Sequence, residues 1–142
     1  MRKTKALLQI YQKMFEALGP RQWWPGETPF EVVIGAILTQ NTNWSNVEKA
    51  IKNLKTAGKL SPEGMYELSV TELAELIRPS GFFNVKAKRV KAFINWLFSR
   101  YEGNLSKMFA QDLQALRGEL LSVKGIGPET ADSILLYAGN MP

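Results

Sequence analysis

Gly125 and Gly127 stand one residue apart around an apolar Ile126, with Lys124 just before them and Pro128 just after. Two missing Cβ atoms allow another backbone to come close. Pro128 suits the first position of a following helix, where an amide hydrogen has no intrahelical partner. The free amides of a helix start point outward with partial positive charge, which suits a phosphate oxygen, and Lys124 adds a full charge beside them. The same spacing also makes an ordinary helix–helix turn, so on these residues alone both meanings stand.

A second group lies far upstream. Gln40-Asn41-Thr42-Asn43 places four amide and hydroxyl side chains in a row directly after the most apolar stretch of the chain. One meaning is local capping of a helix end. The other is a binding surface for a polar partner, since an amide both donates and accepts hydrogen bonds. Trp23 and Trp24 precede this group in a linker and Trp44 follows it at a helix start. Indoles in a helical domain are usually core. In loops and at helix ends they also line pockets, where their faces attract a cationic ring. Lys86, Lys88, Arg89 and Lys91 crowd one helix start, as a solvated face or as phosphate contacts. Glu129 is either an acid favoured by the helix dipole or a general base for water.

Every clear periodicity that could position these groups is helical. Residues 4–18 set Leu7, Tyr11, Met14, Phe15 and Leu18 on one face and stop at Gly19-Pro20. Thr28, Pro29 and Glu31 predict a capping box opening a helix over 29–39 that is apolar nearly all round and therefore central. Ser45 with Glu48 predicts a second box and a helix to Gly58. Ser61-Pro62-Glu63 starts a short helix, and Ser69 with Glu72 another, ending at Pro79. A turn at Gly81–Asn84 leads to a long helix over 85–100, and Leu105, Met108 and Phe109 give a brief helical turn. Leu113, Leu116, Leu120 and Leu121 precede the glycine hairpin, and Ala131, Ile134, Leu135 and Ala138 follow it. No alternating strand pattern occurs, so the fold expected is all-α with seven to nine helices.

The composition narrows the function classes. A chain of 142 residues makes one domain with a real core, and the 45% hydrophobic content argues against disorder. No apolar run has bilayer length. A net charge of +5 favours an anionic partner. The chain contains no cysteine, which excludes a disulfide framework, a thiolate zinc site and an iron–sulfur cluster within these residues. It contains no histidine, which removes the commonest general base. Arg2, Lys3 and Lys5 precede an amphipathic segment and not an apolar one, so a cytoplasmic protein is expected. Met141-Pro142 interrupts the last helix, as expected of a fragment of something longer.

Four segments together carry a family resemblance: Trp23-Trp24-Pro25, the run GAILTQNTNW (35–44), RPSGFFNVKAKR (78–89) and LLSVKGIGPETAD (120–132). In this order and spacing the chain resembles the helix-hairpin-helix (HhH-GPD) DNA glycosylases of the endonuclease III superfamily. Within it, the chain is most similar to the bacterial endonuclease III-like 3-methyladenine DNA glycosylases. The resemblance implies a six-helix barrel domain over 21–142, with the helix-hairpin-helix unit at 111–139, and an N-terminal helix (1–20) from an incomplete second lobe. It implies a monomer acting on double-stranded DNA that contains a damaged base, and no membrane.

Position by position, the resemblance assigns phosphate-binding amides to Gly125, Gly127 and Glu129, with Lys124 and Thr130 beside them. It assigns the carbonyls of Leu121, Val123 and Ile126 to a sodium or potassium ion. Gln40 matches the family's inserting glutamine, a wedge that fills the hole left by an extruded base, and its amide, which both donates and accepts, tolerates different orphaned partners. The resemblance also sets Asn41 next to the DNA and Lys86, Lys88 and Arg89 near the DNA backbone. Glu129 stands where lyase-type members carry a lysine; a carboxylate cannot form the Schiff base that opens the sugar, so a monofunctional enzyme is implied. The family's catalytic aspartate lies beyond Pro142, as would any cysteines for an iron–sulfur cluster. The 142 residues alone are therefore expected to be inactive, and also fit a non-catalytic DNA-binding module. A methylated purine carries positive charge on its ring, and indole faces attract such a cation by about 0.5–2 kcal/mol each. Trp24 and Trp44 are expected to sandwich that base, with Trp23 packing behind. The same charge makes the base a good leaving group, which suits a site without histidine.

Overall fold

A computed structural model describes residues 28–139. The expected helix over 4–18, both Trp23 and Trp24, and the interruption at Met141-Pro142 lie outside these residues. The described residues form eight α-helices and no strand, as the helical periodicities predict.

Helix α1 (Pro29–Leu38) is the centre of the molecule, and every residue from Phe30 to Leu38 is buried. The Thr28 hydroxyl accepts the Glu31 amide at 3.1 Å and so caps it. The second half of the predicted capping box is replaced. Glu31 reaches sideways to Lys55 at 3.0 Å, in the next helix, α2 (Trp44–Thr56). Helix α2 also starts differently from expectation. Asn43 is extended and its side chain accepts the Asn46 amide at 3.0 Å, so Asn43 is the cap and Ser45 falls inside the first turn. Val47, Ala50, Ile51 and Leu54 turn inward.

The short α3 (Pro62–Glu67) is capped by Ser61, and α4 (Val70–Leu76) carries the predicted Ser69–Glu72 box with both bonds made. A 3₁₀ turn at Arg78–Ser80 leads into α5 (Phe83–Tyr101), the longest helix. It begins two residues earlier than the pattern suggests and buries Ala87, Val90, Phe93, Ile94 and Leu97 against α1, α3 and α4. After α6 (Leu105–Phe109), α7 (Leu113–Ser122) and α8 (Pro128–Ser133) form the helical hairpin. Arg117 on α7 grips Asp132 on α8 through Nε–Oδ1 at 2.8 Å, tying the two arms together. Beyond α8 the chain widens into one π turn, Ile134–Ala138, wholly buried and packed on α1.

Candidate nucleic-acid interface

The hairpin turn is built by what its residues lack. Val123 adopts an extended conformation that ends α7, and the Ile126 amide donates back to the Val123 carbonyl at 3.1 Å. Ile126 is buried and pins the loop to the core. Gly125 has φ +92°, a conformation that side chains rarely adopt. Gly127 is the N-cap of α8 and brings no side chain to its first amides, with Pro128 at the first helical position. Lys124 and Glu129, on either side of this turn, are both exposed. The Val123 carbonyl, one of three carbonyls assigned to a cation, already accepts one hydrogen bond. A carbonyl has two acceptor directions, so this bond leaves Val123 one of them.

The wedge candidate comes to the same place from 85 residues away in sequence. Gln40 follows the buried α1, and its amide nitrogen donates to the Thr130 hydroxyl at 2.7 Å, in the first turn of α8. Its amide oxygen accepts from the Arg89 guanidinium of α5. The Arg89 stem in turn fills the space over Gly125, where an added Cβ would lie 2.3 Å from Arg89 Cγ. Gln40 and Arg89 line one shallow depression with the hairpin loop Val123–Gly127. The other polar residues of this run divide. Thr42 and Asn43 serve α2 locally, with Asn46 Nδ2 donating to the Thr42 hydroxyl at 3.1 Å. Asn41 is exposed and left-handed at φ +58°, which asparagine tolerates best among side-chain-bearing residues.

The basic run of α5 also divides, and here the expectation needs correction. Lys86 is buried and donates to the Ser80 carbonyl at 2.8 Å, so it faces the protein and offers no charge to a phosphate. Burial, with the neighbouring positive charge of Arg89, pushes its pKa down to about 8. Lys91 donates to the Met65 and Tyr66 carbonyls at 3.1 and 2.9 Å, neutralising the end of α3. Lys88 is exposed and Arg89 half-buried, which leaves these two of the four for an anion.

Trp44, the first residue of α2, is half-buried against the core. It lines a different depression, with Glu31, Glu48, Ile51 and Lys52. The described residues therefore unite Gln40, Arg89, Thr130 and the glycine hairpin, while Trp44 stands apart from them.

One residue escapes the pattern reading. Phe82 is 64% exposed and left-handed, with φ +46°, immediately before α5. An aromatic residue held so costs on the order of 1–3 kcal/mol, and strain of this kind concentrates at functional sites. The available signal was a pair of aromatics directly after Gly81; one of them, Phe83, takes the Arg78 guanidinium 4.8 Å from its ring centroid, and the other is left to solvent.

Both the sequence and the fold match those of other proteins. Residues 34–121 match the HhH-GPD superfamily of base excision DNA repair proteins, and residues 110–137 match the helix-hairpin-helix motif. A protein of Methanocaldococcus jannaschii whose name places it among DNA repair glycosylases is 49% identical over 138 residues, which is 96% of this chain and 62% of that protein. An endonuclease III of Thermotoga maritima is 32% identical over 78% of this chain and 47% of its own length. Among solved structures, the Helicobacter pylori 3-methyladenine DNA glycosylase bound to 1,N6-ethenoadenine superposes with a TM-score of 0.77. It is 33% identical, over 96% of this chain and 65% of that one. The chain thus spans less than two thirds of the length of each of these relatives. The match to the superfamily covers more than half of its residues, and the chain belongs to the HhH-GPD superfamily of base excision DNA repair proteins.

Proposed function

We propose that this chain is the DNA-anchoring and base-handling part of a monofunctional glycosylase that removes alkylated purines of the 3-methyladenine type from double-stranded DNA. The observation that carries the reading is the joining of Gln40 to the glycine hairpin through Arg89 and Thr130. A phosphate on the hairpin amides fixes the duplex and reads no sequence, and a glutamine beside it is positioned to enter the stack when a base leaves. The carbonyls of Leu121, Val123 and Ile126 would hold a sodium or potassium ion that steadies the loop.

The purine preference is supported by the similarity to the Helicobacter enzyme and by the indoles that flank Gln40 in sequence. A cationic purine stacked between Trp24 and Trp44 leaves as a neutral base when its bond to the sugar breaks. The sugar cation then takes water, helped by a carboxylate supplied beyond Pro142. A second reading, a glycosylase for oxidised pyrimidines or mismatched bases, draws on the relatives named endonuclease III. Glu129 weighs against a lyase of that kind.

The test is a gel-based excision assay on duplexes carrying 3-methyladenine, an oxidised pyrimidine or a mismatch. It is run with this chain and with the reading frame continued past Pro142. Excision confined to 3-methyladenine by the longer protein is the expected result. Excision of the pyrimidine lesion alone selects the second reading, and tight binding without excision by either protein selects a non-catalytic module.

A further inference from the structure

The amide of Gln40 has no spare end. Arginine carries only donors, so the atom facing Arg89 must be the oxygen, and the nitrogen is thereby turned to Thr130. Both partners are tied to the hairpin: Thr130 lies in the first turn of α8, and the Arg89 stem rests on Gly125. Gln40 can enter a duplex only by leaving both. Arg89, however, lines the same depression as the hairpin loop, so a phosphate arriving there comes up against this residue. A guanidinium meets a phosphate as one full charge meeting another, often through two parallel hydrogen bonds, whereas the Gln40 oxygen offers it a neutral acceptor and a single bond.

We infer that Arg89 is a positioning residue that holds Gln40 parked against the hairpin until a DNA phosphate claims its guanidinium. This rests on the reading of Gln40 as the wedge and the hairpin as the phosphate anchor. It orders the events: anchoring comes first, release of Arg89 second, entry of Gln40 last. The free protein keeps its wedge folded against α8, and undamaged duplex in poor register does not release it.

The test uses the full chain and a duplex with a tetrahydrofuran abasic analogue opposite 2-aminopurine. Anisotropy reports binding, and stopped-flow 2-aminopurine fluorescence reports entry of the wedge. Arg89→Met keeps the aliphatic stem over Gly125 and removes the charged fork. It is expected to speed the fluorescence step about tenfold relative to binding, a gain of the order of one hydrogen bond. It also lowers the salt dependence of binding by about one phosphate contact. Thr130→Val removes the other tether without touching a charge. It is expected to speed the same step about threefold with the salt dependence unchanged, which a pure phosphate contact cannot do. In a Gln40→Ala background neither substitution changes the remaining signal. Fluorescence rates unchanged or slowed in both variants overturn the inference. The amplitude reports the underlying reading separately. If Gln40→Ala alone leaves it at the wild-type level, Gln40 is not the wedge, and the parking role falls with it.

Discussion

Gly125→Ala tests the hairpin most directly. Two costs can be worked from the geometry. At φ +92° an alanine is strained by about 1–2 kcal/mol. Its Cβ would also lie 2.3, 2.9 and 3.1 Å from Arg89 Cγ, Cδ and Cβ. These atoms belong to the stem of Arg89, and moving them withdraws the guanidinium from Gln40. Such overpacking costs about 1–3 kcal/mol, and the stiffer unfolded chain returns up to about 1 kcal/mol. The net loss is about 1–4 kcal/mol, or roughly 4–15 °C in thermal midpoint for a chain of this size. Gly127→Ala is the matched comparison. Its φ is −90° and nothing lies within 4 Å of the added Cβ. It should cost less than about 1 kcal/mol, as a poorer N-cap. Its methyl group nevertheless stands where a phosphate would approach, so DNA affinity should fall while stability holds. Calorimetry and fluorescence anisotropy on a labelled duplex measure the two effects. A Gly125→Ala protein melting within 2 °C of wild type (about 0.5 kcal/mol) would refute the reasoning, as would equal destabilisation by the two alanines.

Three further outcomes are expected. Asp132 is buried while its partner Arg117 is partly exposed, so removing the arginine strands the carboxylate. Arg117→Met should cost about 3–5 kcal/mol and Asp132→Asn about 1–2 kcal/mol in urea denaturation; the reverse order contradicts the burial argument. Lys86 has its pKa lowered from 10.5 to about 8, so the unfolded chain binds more protons between these values. Relative to Lys86→Met, wild-type stability should therefore rise from pH 8 to about 10.5 and fall again as pH drops back through 8. The full shift corresponds to about 3 kcal/mol, and screening brings the expected size to about 1–2 kcal/mol; parallel pH profiles would contradict it. Trp44→Ala, in the protein continued past Pro142, should slow excision of 3-methyladenine by tenfold or more, since one indole face is worth up to about 2 kcal/mol to a cationic ring. Excision at the wild-type rate removes Trp44 from the base pocket.

Much of the fold is legible in local pattern because its causes are local. The all-round apolarity of residues 30–38 leaves α1 nowhere to lie except the centre, and Ser69 with Glu72 closes a capping box whose partners are three residues apart. The glycine pair and Pro128 define the hairpin by what their backbones allow. The expectations that failed involve a choice between partners of similar local quality. Asn43 and Ser45 are both good caps, and α2 took the earlier one. Glu31 could have bonded back to Thr28, but Lys55 of the neighbouring helix supplied a charge.

The sequence by itself determined that this chain is helical, that its hairpin accepts close approach, and that neither histidine nor cysteine chemistry occurs within it. Only the tertiary structure decided which polar residues meet. Lys86, Lys88, Arg89 and Lys91 are alike in composition, yet helix rotation buries the first on the Ser80 carbonyl, sends the last to the end of α3 and leaves Arg89 over Gly125. The meeting of Gln40, Arg89 and Thr130 depends on how α1, α5 and α8 cross, which is set by the packing of their apolar faces. Side chains that carry no apolar signal are placed by that packing, so no spacing along the chain announces them.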